Sequence, residues 1–212
     1  MYRIIKRISF LKVALIMLLF VESGELLSQD KKHILFFGDS ITAGYNLDME
    51  DAFPALIQQK IDSLGHQYRV TNAGVSGETS AGGVRRVNWI LQQPVDIFFL
   101  ELGGNDGLRG VDPENTKENL QQIINIVKEK YSGATIVLAG MEAPPNMGEE
   151  YTGRFRELFH ELADENEVVF MPFVLEGVAG DPDLNMPDGI HPTVEGHQIL
   201  AENIWEVIRP LL

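Results

Sequence analysis

The chain has no cysteine and few basic side chains, and each shortage excludes a class of protein. Without cysteine, neither a disulfide nor a lipid attached to an N-terminal cysteine can form. Seventeen lysines and arginines stand against 31 aspartates and glutamates, which gives a formal net charge of −14. A negative surface repels nucleic acid phosphates and anionic lipid headgroups, so we expect neither as a partner.

Long apolar runs are also scarce. Residues 13–21 form an apolar run, but a bilayer span takes about 20 apolar residues. Four basic residues precede that run, as in a signal peptide. We therefore expect residues 1–28 to be a signal peptide, residues 29–212 to be one exported domain, periplasmic or secreted, and no stable membrane span to remain after processing. An uncleaved anchor is the alternative, because small residues that would define the cleavage site are poorly placed.

Short apolar runs alternate with amphipathic segments along the rest of the chain. This alternation is typical of a parallel sheet covered by helices on both faces, because right-handed crossovers place successive helices over the sheet. We predict a three-layer α/β/α sandwich with a five-stranded parallel sheet, as in flavodoxin-like folds. The predicted strands are residues 33–37, 67–71, 95–101, 134–139 and 168–170; the predicted helices are 52–64, 80–92, one opening at Asp112, 150–166 and 193–208.

The first strand leads directly to a candidate nucleophile. Residues 33–37 form a compact, mostly apolar run, Gly38 permits a tight turn, and Ser40 follows. In open α/β sheets, ligands bind beyond the carboxyl ends of the strands, where Ser40 should lie. The alternative is that Asp39 or Ser40 merely caps the next helix.

Three further polar clusters follow apolar segments: Gly77, Asn105, and Asp188 with His191. Serine hydrolysis needs an imidazole that takes the serine proton, a carboxylate that orients it and donors for the oxyanion. The three-residue spacing lets Asp188 reach Nδ1 of His191 and leaves Nε2 free to face Ser40. The alternatives are a turn aspartate, a surface histidine, an Asn-Asp-Gly turn and an ordinary loop glycine.

These blocks, in this order, resemble the SGNH (GDSL-type) hydrolase family. The similarity covers residues 32–210, and the segments 72–79 and 101–110 are similar to those of exported bacterial arylesterases, acyl-CoA thioesterases and lysophospholipases. The motifs that carry the resemblance are Gly38-Asp39-Ser40, Gly77, Gly103-Gly104-Asn105-Asp106 and Asp188-x-x-His191-Pro192.

The resemblance implies a role for each block. Ser40 would be the nucleophile, His191 the general base and then acid, and Asp188 the orienting carboxylate. The backbone N–H groups of Ser40 and Gly77 and the side-chain amide of Asn105 would form the oxyanion hole. The reaction would cleave carboxylic esters or thioesters through an acyl-enzyme.

The resemblance also suggests how the acyl chain is held. Leu108 and Arg109 match a mobile loop that closes over acyl chains in this family, and Pro144 is a further candidate for the pocket wall. We expect a small-molecule acyl ester or thioester as substrate, no cofactor, no metal and a monomeric protein.

Other functions fit the sequence less well. A carbohydrate O-acetyl esterase of the same family would need aromatic platforms, but neither of the two tryptophans adjoins a motif. A silent binding module would have lost a motif residue. The residue after Ile41 is Thr42 rather than the glycine of a Gly-x-Ser-x-Gly elbow. Met186 and Pro192 stand where a calcium loop needs glycine and glutamate.

Overall fold

The computed structural model of the protein describes residues 31–212, and Lys32–Leu212 form one compact unit. The predicted signal peptide and its alternative, an uncleaved anchor, therefore lie outside the described residues. Strands and helices alternate in the order β1 (Lys32–Gly38), α1 (Ser40–Ala43), α2 (Phe53–Ser63), β2 (Tyr68–Gly74), α3 (Ser80–Ile90), β3 (Ile97–Glu101), α4 (Gly104–Leu108), α5 (Pro113–Lys130), β4 (Thr135–Ala139), a 3₁₀ turn (Pro145–Met147), α6 (Glu149–Asn166), β5 (Val169–Met171), α7 (Val194–Ile208) and a second 3₁₀ turn (Arg209–Leu211).

The five strands form one parallel sheet in the order β2-β1-β3-β4-β5. Helix α2 packs on α7, while α3 packs on α5 and α5 on α6, so helices cover both faces of the sheet. The predicted α/β sandwich with a five-stranded parallel sheet is confirmed. The chain leaves β1 toward β2 and then crosses back to β3, so the crevice between β1 and β3 is the switch point at which such folds bind ligands.

Aromatic rings from β1 and β3 fill the core beside this switch point. Phe36 pairs in register with Phe99, and their ring centroids lie 5.0 Å apart. Phe53 of α2 meets Phe36 edge-to-face at 5.3 Å. Both strands are buried on both faces, as a parallel sheet between helix layers requires. The ends of β1 and β3 therefore start from a rigid base.

Two segments differ from the prediction. The predicted start of the loop at residues 72–79 is wrong, because β2 continues to Gly74. Its pairing with β1 runs to Gly38↔Gly74, and an edge strand tolerates the exposed side chain of Asn72. The predicted loop after β3 contains the short helix α4, since Gly103 adopts φ +119 and turns the chain directly into it.

Helix α3 begins at Ser80 despite the two glycines that follow. The sequence allowed two explanations for these glycines, a later start of the helix or close packing against it, and the structure supports close packing. A Cβ atom at Gly83 would lie 2.5 Å from Leu102 Cδ1 and 3.0 Å from Ile123 Cδ1. Within residues 31–212, no helix combines the length and apolar composition that crossing a bilayer demands.

Candidate active site

Ser40 is the first residue of α1, directly beyond the end of β1. Asp39 caps this helix, because its Oδ1 accepts a hydrogen bond from the N–H of Ile41 at 3.0 Å. The capping alternative therefore holds for Asp39, but it leaves the Ser40 side chain free for another role. As the first helical residue, Ser40 also presents an N–H group that the helix itself does not use.

His191 connects Ser40 to Asp188. Its Nε2 lies 3.0 Å from Ser40 Oγ and its Nδ1 lies 2.7 Å from Asp188 Oδ2. The other carboxylate oxygen accepts hydrogen bonds from the N–H groups of Ile190 at 2.9 Å and His191 at 3.0 Å. The structure thus brings the three sequence-predicted side chains together in the order that proton transfer from the serine requires.

The hydrogen bonds to Asp188 also set its charge. The side chain of His191, followed by the N–H groups of His191 and Ile190, lowers the pKa of Asp188 to about 2. Asp188 therefore remains an acceptor at neutral pH and selects the tautomer of His191 that carries its proton on Nδ1. With that tautomer, Nε2 is free to accept the Ser40 proton.

Asn105 lies in α4, across the switch point from Ser40. Its Nδ2 donates a hydrogen bond to Asp39 Oδ2 at 3.0 Å, which fixes the amide with its second N–H available. Asn105 and Ser40 line the same cavity. Gly77 lies in the exposed turn after β2 with φ +78, and its carbonyl accepts from Arg109 Nη2 at 3.1 Å.

A cavity of about 510 Å³ opens beside Ser40. Of the three candidate acyl-binding residues, Leu108 and Pro144 line this cavity. Arg109 does not, because its guanidinium turns toward Gly77 instead. The wall is mostly apolar and is built from loops after three strands and from the segment before α7. Its apolar members include Ile41, Leu108, Met141, Ala143, Pro144, Phe173 and Ile190.

Sequence reasoning missed the ring that covers the imidazole. The Tyr45 ring centroid lies 4.3 Å from that of His191, at an interplanar angle of 34°. Gly44 and Asn46, both with positive φ, fold Tyr45 back over the site. The Gly-Tyr-Asn sequence is compatible with a turn, but nothing in it indicates what the ring would contact.

Three buried carboxyl groups lie behind the Ser40 turn, and of these the sequence indicated a role only for Asp39, as a helix cap. Burial raises the pKa of Asp39 to about 6, although hydrogen bonds from Ile41 and Asn105 oppose the rise. Glu101, at the end of β3, and Asp106, in α4, are both buried. Asp106 accepts from the Ser80 N–H at 2.9 Å and the Ser80 hydroxyl at 2.5 Å, so it joins α4 to the start of α3. An acid that ends an apolar strand is the one signal that could have indicated Glu101.

An ion pair between Arg86 and Glu78 holds the loop that contains Gly77. Arg86 Nε lies 2.5 Å from Glu78 Oε2, and both side chains are mostly buried. The same guanidinium donates to the carbonyls of Ala73 at 2.9 Å and Gly38 at 3.3 Å. Arg86 therefore ties the ends of β1 and β2 to the residue that follows Gly77.

Residues 31–212 contain no group of three or more His, Asp or Glu side chains placed to hold a metal ion. Two histidines outside the site have structural partners instead. His33 lies 3.0 Å from the Pro94 carbonyl and 2.9 Å from Thr71 Oγ1. His197 is buried, and its Nδ1 accepts from the Phe53 N–H at 3.1 Å.

Known proteins are similar to this chain in sequence and in fold. A profile of the GDSL-like lipase/acylhydrolase family matches residues 36–199. The esterase TesA of Pseudomonas aeruginosa is 39% identical over 180 residues, which are 84% of this chain and 89% of that protein. Thioesterase 1/protease 1/lysophospholipase L1 of Escherichia coli is 37% identical over 180 residues, 84% of each protein. The crystal structure of TesA has a TM-score of 0.81 at 38% identity and covers 85% of this chain and 100% of its own.

Proposed function

The chain belongs to the GDSL-like lipase/acylhydrolase family, and we propose that Ser40 is the nucleophile with which it cleaves acyl esters and thioesters. The family predicted from the ordered motifs is thereby confirmed, and the protein is a carboxylic ester hydrolase. The observation that carries the assignment of Ser40 is the connected series Ser40 Oγ, His191 and Asp188, with separations of 3.0 Å and 2.7 Å.

The proposed reaction has two halves that use the same groups. His191 Nε2 takes the Ser40 proton as Oγ attacks the acyl carbon, and Asn105 with the N–H groups of Ser40 and Gly77 stabilises the oxyanion. The imidazolium then returns that proton to the leaving alcohol or thiol, which leaves an acyl-enzyme. In the second half, His191 takes a proton from water, the hydroxide attacks the acyl carbon, and Ser40 regains its proton as the acid departs.

The mostly apolar lining of the cavity suits an acyl chain, so we infer that the acyl group of the substrate binds there. Its lining places Ile41, Leu108 and Phe173 beside Ser40, and burial of each methylene of an acyl chain contributes about 0.8 kcal/mol. Tyr45, Leu108 and Ile190 remain partly exposed, which favours an entrance that accepts an apolar chain from solvent.

The test is hydrolysis of p-nitrophenyl esters from acetyl to palmitoyl by the full chain and its Ser40→Ala variant. We expect turnover in the parent and none above background in the variant, with the same unfolding temperature. Equal turnover in both proteins would contradict the assignment of Ser40. The chain length with the highest kcat/KM would measure the usable depth of the cavity.

We also propose that the protein is exported and acts as a monomer. The four basic residues before the apolar run at 13–21 support export, and one chain supplies every group of the proposed reaction. N-terminal sequencing of the protein recovered from the periplasm or medium should give a start near residue 29. Light scattering on a sizing column should give the mass of one chain, and a dimer mass would contradict the second proposal.

A further inference from the structure

Glu101 is a buried acid for which the proposed reaction has no direct use. It is the last residue of β3, pairs in register with Gly38 at the end of β1, and is 0% exposed. An acid is costly to bury unless it is neutral or well paired. Its location directly behind the Ser40 turn therefore calls for a physical reason.

One carboxyl oxygen of Glu101 holds both sides of Ser40. Oε2 accepts hydrogen bonds from the N–H of Asp39 at 3.3 Å, from the N–H of Thr42 at 3.3 Å and from the Thr42 hydroxyl at 2.6 Å. Asp39 precedes Ser40 and Thr42 lies two residues after it, so the contact fixes the backbone on either side of the nucleophile.

Close packing leaves this contact little freedom. A Cβ atom at Gly38 would overlap both Glu101 Oε2 and Thr42 Oγ1, so only glycine leaves room for the contact. Thr42 itself is fully buried. Because Asp39 and Thr42 both donate to Oε2, displacement of the Glu101 carboxyl would remove a contact from each of them.

The other carboxyl oxygen of Glu101, Oε1, indicates whether the group is ionised or protonated. Oε1 is buried and has no hydrogen-bond partner within the described part of the chain. A negative charge shared with such an oxygen would be unpaired in a low-dielectric site. A proton on Oε1 removes that charge, at the smaller cost of an O–H without a partner, and leaves Oε2 free to accept. Consistent with this form, burial and then the neighbouring Asp39 raise the pKa of Glu101 well above the ordinary range.

We propose that Glu101 is a neutral positioning residue that holds the Asp39–Thr42 turn and so aims the hydroxyl and N–H of Ser40. The inference rests on the proposed role of Ser40. It predicts that glutamine can replace Glu101, because the amide oxygen can take the place of Oε2 and the NH₂ group the place of the protonated Oε1. Aspartate cannot replace it, because its carboxyl group is one methylene too short.

The test compares Glu101→Gln with Glu101→Asp, and Thr42→Ser with Thr42→Val, in the full chain. Each variant is assayed for kcat and KM on p-nitrophenyl butyrate and for the rate at which a p-nitrophenyl phosphonate inactivates it. We expect the Gln and Ser variants to stay within about threefold of the parent. The Asp and Val variants should lose about 10- to 100-fold in kcat and in inactivation rate, with KM little changed, as misplacement of a reacting group by about 1 Å does.

The outcomes test the positioning role of Glu101 separately from the proposed role of Ser40. Folded Asp and Val variants with parental kcat would overturn the positioning role, and a Gln variant as slow as Asp would show that the charge is required. Since Thr42→Val removes the shortest of the three hydrogen bonds to Oε2 without changing the acid, it keeps the test valid if Glu101→Asp does not fold. Ser40→Ala runs in parallel: an active Ser40→Ala protein would overturn the proposed function itself, whereas an inactive one with unaffected Glu101 and Thr42 variants would overturn this inference alone.

Discussion

At the scale of single residues, nearby backbone N–H groups hold side chains of the site in place. Asp188 illustrates this, because two N–H groups of its own turn donate to one of its carboxylate oxygens while the Nδ1–H of His191 donates to the other. That geometry was predictable from a three-residue spacing. The contacts of Glu101 and Tyr45 were not, since their partners are 59 and 146 residues away along the chain. An acid at the end of an apolar strand marks Glu101 as unusual but does not indicate its partner.

Asn105→Ala tests the proposed oxyanion donor at this scale. Removal of one such donor typically lowers kcat by about 10²–10³, because the donor acts on charge that develops only in the transition state. We expect that loss in kcat on p-nitrophenyl butyrate, with KM within a few-fold of the parent. Asn125→Ala, on the exposed face of α5, is the control and should be unaffected. A parental kcat in Asn105→Ala would remove this side chain from the mechanism.

At the scale of elements, the ends of β1, β2 and β3 position the site because α3 packs very closely over them. Arg86 of α3 donates to carbonyls at the ends of β1 and β2, and Gly83 lets the helix approach Leu102. The sequence predicted the helix and offered close packing as one reason for its glycines. The residues that pack against these glycines depend on the order of the strands in the sheet, and the sequence pattern alone did not determine that order.

Two glycine-to-alanine changes in helices should have opposite effects on stability. Gly83→Ala would place a methyl group 2.5 Å from Leu102 Cδ1, and such overpacking costs about 1–3 kcal/mol, more than the roughly 1 kcal/mol that alanine gains in helix propensity. In α6, a methyl group at Gly153 would meet no described atom within 4 Å apart from its chain neighbours and the backbone of its own helix, so Gly153→Ala should gain up to about 1 kcal/mol.

Urea unfolding of both variants beside the parent measures these two effects. The midpoint should fall for Gly83→Ala and rise for Gly153→Ala. If both changes raised it by similar amounts, helix propensity alone would govern and the close approach of α3 to β3 would carry no energetic weight.

At the scale of the whole molecule, the parallel sheet and its two helix layers were predictable because strands and helices alternate without long linkers. The strand order does not follow from that alternation, because a right-handed crossover specifies handedness but not which edge the next strand joins. The final helix, α7, completes the molecule by packing on α2. That contact contains a buried titratable group, His197, which links the stability of the whole domain to pH.

Stability should depend on pH through His197. Burial lowers the pKa of His197 to about 4 from an ordinary value of 6.5, so the unfolded chain binds a proton that the folded chain excludes. Its contribution is fully present above pH 6.5 and is lost as pH falls toward 4. The loss is about 3 kcal/mol, since one pKa unit corresponds to about 1.4 kcal/mol. Asp39 acts in the opposite direction, because its raised pKa favours the fold at low pH.

His197→Asn isolates this effect, because the Asn side chain can still accept from the Phe53 N–H but does not titrate. We expect the stability advantage of the parent over the variant, measured by urea unfolding, to be larger at pH 7.5 than at pH 4 by about 2–3 kcal/mol. Asp39 is present in both proteins, so its contribution cancels. An advantage that did not change with pH would contradict the buried neutral histidine.

The most direct test of the central claim is to locate the covalent adduct. The full chain is treated with a p-nitrophenyl phosphonate, released nitrophenol is counted, and the protein is digested and mapped by mass spectrometry. We expect one nitrophenol per chain and one phosphonyl group, on Ser40, with neither in Ser40→Ala. An adduct on another residue, or equal labelling of Ser40→Ala, would contradict the assignment of Ser40 as the nucleophile.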